Sequence, residues 1–156
     1  MKPIKDMLDA MKPEAIQKML GRDNVSAQFY EAFKQELDAG NIQEFTKQKI
    51  VITNSFICDY SSFVLRIGRT LLIRPLNSIA NAYRTTIING QYNFDFVSIK
   101  LDYFNRGCDY LNMQSRKGKD ISVYDEVLDV LKPIVQQNAA LAANAQVQNE
   151  QIQGGV

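Results

Sequence analysis

Apolar positions in the first 46 residues recur at helical spacing. Ile16, Met19 and Leu20 follow Pro13 and Glu14 and stop at Gly21, the punctuation of a short helix with proline at its start and glycine at its end. Val25, Phe29, Phe33 and Leu37 then recur every four residues, with Gln28, Glu31, Lys34, Gln35 and Asp38 between them, as far as Gly40. This spacing predicts an amphipathic helix whose aromatic stripe docks on the rest of the core.

From Lys47 the period changes. Lys49 to Tyr60 is rich in β-branched and aromatic residues, and Phe63, Leu65 and Ile67 alternate before Gly68, so both stretches read as strands. Leu71 to Ile73 forms another, ended by Arg74-Pro75 because proline cannot donate to a ladder. Asn89-Gly90 between Ala82–Ile88 and Gln91–Tyr103 is a hairpin signal of type I′. Along the second arm Tyr92, Phe94 and Phe96 are apolar on even numbers, whereas Val97, Ile99, Leu101 and Tyr103 are apolar on odd ones. With a side-chain period of two, that switch requires a bulge, a bend or a change of sheet at Phe96–Val97. Asn105-Arg106-Gly107 reads as a turn, Cys108 to Gln114 as a further strand, and Ser115 to Asp120 as a polar, basic connection around Gly118.

A helix follows with a clear beginning. Ser122 and Asp125 approximate a capping box, Asp125, Glu126 and Asp129 crowd the positive end of the dipole, and Val123, Val127, Val130, Leu131 and Ile134 form a stripe fit to lie on a sheet. Pro133 is expected to kink or end this helix. From Ala139 the composition turns to Ala, Gln and Asn, which predicts an extra helix that frays over its last residues.

Composition narrows the chemistry. The chain has 156 residues, 46% of them hydrophobic, no histidine and two cysteines, which is enough for one principal core. Without histidine no imidazole serves as a general base or a metal ligand. Cys58 and Cys108 lie in apolar strand-like runs and each precedes an aspartate, so both are expected to be buried free thiols with a disfavoured thiolate. The glycines are isolated, with no phosphate-cradling pattern. The expectation is therefore a protein that is not an enzyme and needs no cofactor and no metal. The formal charge of +1 conceals a distribution: net −2 over residues 1–46, +6 over 47–120 and −3 over 121–156. A pI of 7.7 argues against duplex nucleic acid as a partner. The N-terminal residues lack the apolar core of a secretion signal and no window is long enough for a transmembrane segment, which together predict a cytoplasmic location.

Two helices, a run of antiparallel strands, a phase-switching hairpin and a capped helix together resemble the pleckstrin-homology-like (PH-like) fold of bacterial type. Leu71-Leu72-Ile73-Arg74-Pro75-Leu76-Asn77-Ser78-Ile79 looks like the strand and Pro-Leu-x-x-Ile segment of such domains, and Tyr110 to Val135 is similar to their closing strand, turn and helix. The expected fold is α+β, a small antiparallel barrel or sandwich with a capping C-terminal helix: an N-terminal helical segment over 1–46, the PH-like domain over 47–135 and an Ala/Gln-rich extension over 136–156. The resemblance implies a noncatalytic protein-interaction or scaffolding module, self-associating or binding an extended peptide at a strand edge or beside the C-terminal helix. An alternative implication is peripheral binding of anionic lipid or a phosphate ligand through the basic strand region, for which Lys47, Lys49, Arg66, Arg69, Arg74 and Arg84 are the candidates. Ala27 to Phe45 also resembles the opening helices of the cone-shaped NTF2-like fold, which would instead provide a small-molecule pocket.

Overall fold

A computed structural model of the chain describes residues 2–65, 70–88, 91, 95–115 and 121–154. The chain is α+β, with seven antiparallel strands in two sheets among the described residues and a long C-terminal helix. The strands therefore do not form the closed barrel considered from the sequence. Two compact units divide the chain, residues 1–76 and 77–156.

The first unit begins with helices α1 (Ile4–Asp9), α2 (Pro13–Leu20) and α3 (Asn24–Ala39), so its helical segment holds one helix more than the expected pair. Pro13 opens α2 at the position where its missing N–H is not needed. Asp23 caps α3 by accepting a hydrogen bond from the Ser26 N–H at 2.9 Å, and Gly40 ends it at φ 83°, a conformation that glycine adopts without steric penalty. The buried stripe of α3 is Ser26, Tyr30, Phe33 and Leu37. It is rotated from the expected one: Val25 stands exposed, and Phe29 is partly buried with its ring 5.5 Å from that of Phe56.

Strands β1 (Gln43–Phe45), β2 (Ile50–Ile52), β3 (Phe56–Asp59) and β4 (Leu72–Pro75) pair in that order, each antiparallel to the next. The predicted single strand Lys49–Tyr60 is thus a hairpin. It turns at Thr53–Ser55, where Glu36 of α3 accepts hydrogen bonds from the Thr53 hydroxyl at 2.7 Å and the Ser55 N–H at 2.8 Å. The stretch expected as a strand after Tyr60 begins as a short helix, α4 (Ser61–Leu65). Five residues fit either period, and the Ser61 N–H donating to Asp59 Oδ1 at 2.8 Å turns the chain. Gly68 lies outside the described residues. Val51, Cys58 and Ile73 occupy adjacent strands on one face and join Ile4, Leu8, Phe33 and Leu37 in one apolar core.

In the second unit β5 (Ile79–Ile87), β6 (Phe96–Tyr103) and β7 (Cys108–Ser115) form a meander, and α5 (Val123–Gly154) packs on β5 and β6. The last described pair between β5 and β6 is Ile87 with Phe96, so residues 88–95 join the arms; Asn89, Gly90, Tyr92 and Phe94 of the expected hairpin lie outside the described residues. Gly118 and the rest of the basic connection at 116–120 lie outside them too.

The expected switch at Phe96–Val97 rests on Tyr92 and Phe94, which lie outside the described residues; within β6 the buried Val97, Ile99 and Leu101 keep one parity through a break in register between Val97 and Ile99. The extra residue sits in β7 rather than β6: Val97 pairs with Gln114 but Ile99 with Leu111. Asn112 within that bulge has φ 47°, which asparagine tolerates better than most residues. The buried Ser98 hydroxyl donates to the Leu111 carbonyl at 2.8 Å, and the Tyr124 hydroxyl donates to the Asn112 carbonyl at 2.8 Å. The irregular strand is thereby tied to its neighbour and to α5. Val97, Ile99, Leu101 and Leu111 of the sheet and Tyr124, Val127 and Leu131 of the helix are buried in this unit.

Helix α5 passes through Pro133 and continues to Gly154. Proline removes one helical hydrogen bond but its fixed φ is helical, and anchors on both sides keep the helix in place. Leu131 is buried before it, and Asn138, buried after it, donates from Nδ2 to the Ile79 carbonyl at 3.0 Å. No helix among the described residues is long and apolar enough to cross a membrane.

Candidate functional site

The described basic candidates are divided between the two units, Lys47, Lys49 and Arg74 in the first and Arg84 in the second. Lys47 and Lys49 lie in the turn between β1 and β2, Lys47 exposed and Lys49 half-buried at φ 57°. Arg66 and Arg69 lie outside the described residues. Arg74, on β4, is engaged internally: Nη2 is 3.0 Å from Asp23 Oδ2, and Nη1 donates to Asp23 Oδ1, the Ser26 hydroxyl and the Ile73 carbonyl. Arg84 belongs to the second unit, where its Nη1 is 3.5 Å from Asp125 of α5.

Burial raises the Asp23 carboxyl, but hydrogen bonds from Arg74 and from the Ser26 N–H outweigh it and hold the group below the usual carboxylate range. Asp23 therefore stays ionised, and Arg74 has a structural partner 51 residues away in the chain.

The cysteines divide. Cys58 is buried, and desolvation together with Asp59 and Glu44 pushes its thiol well above its ordinary value. Cys108 is exposed, contrary to the sequence expectation, because the run that begins there starts at the end of an edge strand.

Strand edges are where the described backbone offers unpaired N–H and C=O groups, and four strands have one: β1, β4, β5 and β7. β1 is three residues long. The β4 edge is covered, since the Ile73 N–H donates to the Ser26 hydroxyl at 2.9 Å and Pro75 ends the strand. β7 carries the bulge at Asn112. β5 has nine residues, no proline and a regular register from Asn81 to Ile87. Its one charged side chain, Arg84, is directed to Asp125.

Beside this edge lies an open groove of about 270 Å³ between β5 and α5, lined by Asn81, Ala82, Leu128, Asp129, Lys132, Val135 and Gln136. The small side chain of Ala82 leaves room between strand and helix. Leu128 and Val135 supply apolar surface, and the Asp129 and Lys132 side chains bring both charges to its lip. The groove is therefore suited to an apolar side chain flanked by polar backbone. Sequence reasoning read Asp129 only through the helix dipole and gave Lys132 no role. The signal available was their spacing of three and four around Leu128 and Val135, which puts all of them near one helix face.

On the other face of the same sheet the register aligns Tyr83, Lys100 and Tyr110 in one row. The Lys100 ammonium lies 5.8 Å from the Tyr83 ring centroid and 5.7 Å from that of Tyr110, within reach of both π faces. The Tyr83 hydroxyl, followed by the Asp102 charge, raises the Lys100 ammonium above its usual value. This ladder keeps the cation on the sheet surface between two rings.

In the first unit a second open groove, of about 300 Å³, runs between α2 and α3 with Leu20, Ala27 and Tyr30 among its lining residues. No family model matches the chain, and neither a curated protein nor a solved structure does.

Proposed function

We propose that this chain is a noncatalytic protein-interaction module that takes up an extended segment of a partner along β5, with one apolar side chain of that segment in the groove beside α5. The observation that carries this reading is the contrast among edges: β1 is short, β4 is covered and β7 is bulged at its middle, whereas β5, irregular between Ile79 and Asn81, keeps a regular register from Asn81 to Ile87 with a groove beside it. Added strands bind through main-chain hydrogen bonds and gain selectivity from adjacent pockets. The absence of histidine and the suppressed Cys58 thiol support the noncatalytic part.

Selection of a random peptide library on the immobilised chain, followed by amide chemical-shift mapping of the selected peptide, tests it. The expected shifts fall on Asn81–Ile87 and on Leu128–Gln136, and Ala82→Arg weakens binding at least tenfold by filling the groove. Shifts confined to β7 or to residues 1–76, or affinity unchanged by Ala82→Arg, would overturn the reading.

A further inference from the structure

Helix α5 has two halves of different character. Up to Asn138 it is attached to its sheet through Tyr124, Val127, Leu131 and Asn138. From residue 139 to residue 148 every side chain is exposed, Leu141 at 59% and Val147 at 50%, and the helix continues to Gly154. Residues 139–154 thus extend the helix by roughly 24 Å beyond its last buried anchor.

The residues that anchor the first half mark a repeat that does not stop where the sheet does. Tyr124, Val127, Leu131, Ile134, Asn138, Leu141, Ala145 and Gln148 follow one another at alternating spacings of three and four. That is the seam of a heptad, running along the helix from Tyr124 to Gln148. In the first half the seam is covered by β5 and β6; in the second half nothing among the described residues covers it.

Charge decides what fits there. Residues 139–156 carry a single charged side chain, Glu150, so the exposed helix has no opposite-charge pairs along its faces to support it. A partner helix with a charged flank would find no counterions on this surface. A second copy of the segment brings no such flank, meets no like-charge repulsion beyond Glu150, repeats the same three-four spacing, and has small residues at Ala142 and Ala145 that let two helix axes approach closely.

We propose that residues 139–154 of α5 pair with the same segment of a second copy of this chain, seam against seam through Leu141 and Ala145, in an isologous dimer. The proposal is independent of the β5 edge, which this pairing leaves open. Two helices matched over so short a length bury roughly half of the ~800 Å² per partner found in a standard interface. The dimer is therefore a reversible one, populated as concentration rises.

Sedimentation velocity on the full chain, from the micromolar to the millimolar range, is the test. The expected result is a mass that climbs from monomer towards dimer with concentration. Leu141→Glu combined with Ala145→Glu should hold the chain at monomer over the whole range. Gln146→Glu adds the same kind of charge away from the seam and should leave the dimer within a factor of about three of its original affinity, roughly 0.6 kcal/mol. All three positions are exposed, and far-ultraviolet circular dichroism of each variant confirms that the fold is retained. A chain that stays monomeric at every concentration overturns the proposal. So does a dimer that survives the double substitution, or one that Gln146→Glu disrupts as fully.

Discussion

In residues 1–76 several charged side chains are bonded within the fold. Asp23 holds Arg74 and the start of α3, Lys34 lies between Asp9 at 2.8 Å and Asp38 at 2.6 Å, and Glu44 accepts from the Tyr60 hydroxyl at 2.7 Å and the Ile4 N–H at 3.1 Å. Even the outer amide of Ile73 on β4 is taken by Ser26. In residues 77–156 buried polar bonds tie the bulge and the first half of α5, while β5 from Tyr83 to Ile87 pairs on one side only among the described strands and residues 139–148 of α5 stand exposed. The difference teaches that a unit's partners are better sought where its backbone is unsatisfied than where its charges are dense. The candidate cation Arg74 is tied into the fold; the residues beside the open edge are largely neutral.

That comparison breaks most visibly through the closed unit. Phe33→Ala removes a fully buried ring that meets Phe56 edge-on with centroids 6.4 Å apart. It should cost about 3–5 kcal/mol in chemical denaturation; a loss below 1 kcal/mol would mean that the core is not organised around α3.

Asp23→Ala comes next, at about 2–3 kcal/mol, because it removes a helix cap and leaves Arg74 without its carboxylate. Its pH dependence has a definite sign. The folded-state pKa of Asp23 is depressed, so its stabilisation is complete above the unfolded value of about 3.9. It is lost as pH falls from there through the folded pKa. The acid limb of the stability curve should accordingly flatten in Asp23→Asn, and an unchanged limb would place the titration elsewhere.

Pro133→Ala sharpens the contrast within the second unit. Restoring a helical N–H should raise stability by about 1–2 kcal/mol, less than the ~3 kcal/mol propensity difference because proline also restricts the unfolded chain. A loss of stability would show that the proline ring is held by contacts the helix needs. The smallest effect belongs to the open end: deleting 139–156 should change the unfolding free energy of dilute protein by less than about 0.5 kcal/mol, since residues 139–148 are exposed. A larger loss at a concentration where the chain is monomeric would mean that the segment is part of its own unit's core.

Local signals were legible in the sequence and long-range ones were not. Pro13, Gly21 and Gly40 mark helix ends where the structure has them. The register break between Val97 and Ile99 leaves no mark in the parity of β6, because the extra residue is in β7, where Asn112 enters its left-handed conformation in answer to pairing with a neighbour. The alternation of Phe63, Leu65 and Ile67 fits a strand, yet Phe63–Leu65 are helical because so short a stretch satisfies either period, and the hairpin at Thr53–Ser55 is hidden because Glu36, which holds it, is in α3. The rotation of the α3 stripe has the same origin: Ser26 is polar by composition but buried by its bonds to Ile73 and Arg74. For the site the limit is sharper. A run of basic residues shows in one dimension, whereas an open edge is defined by what the other strands do.

The unequal burial of the two thiols gives the molecule a built-in counter. Cys108 is open to a maleimide and Cys58 is sealed in the core of the first unit as an unreactive thiol, so the folded native chain should accept one label. The second adduct arrives only when residues 1–76 open, and its mass, read over time, clocks that opening without any engineered probe.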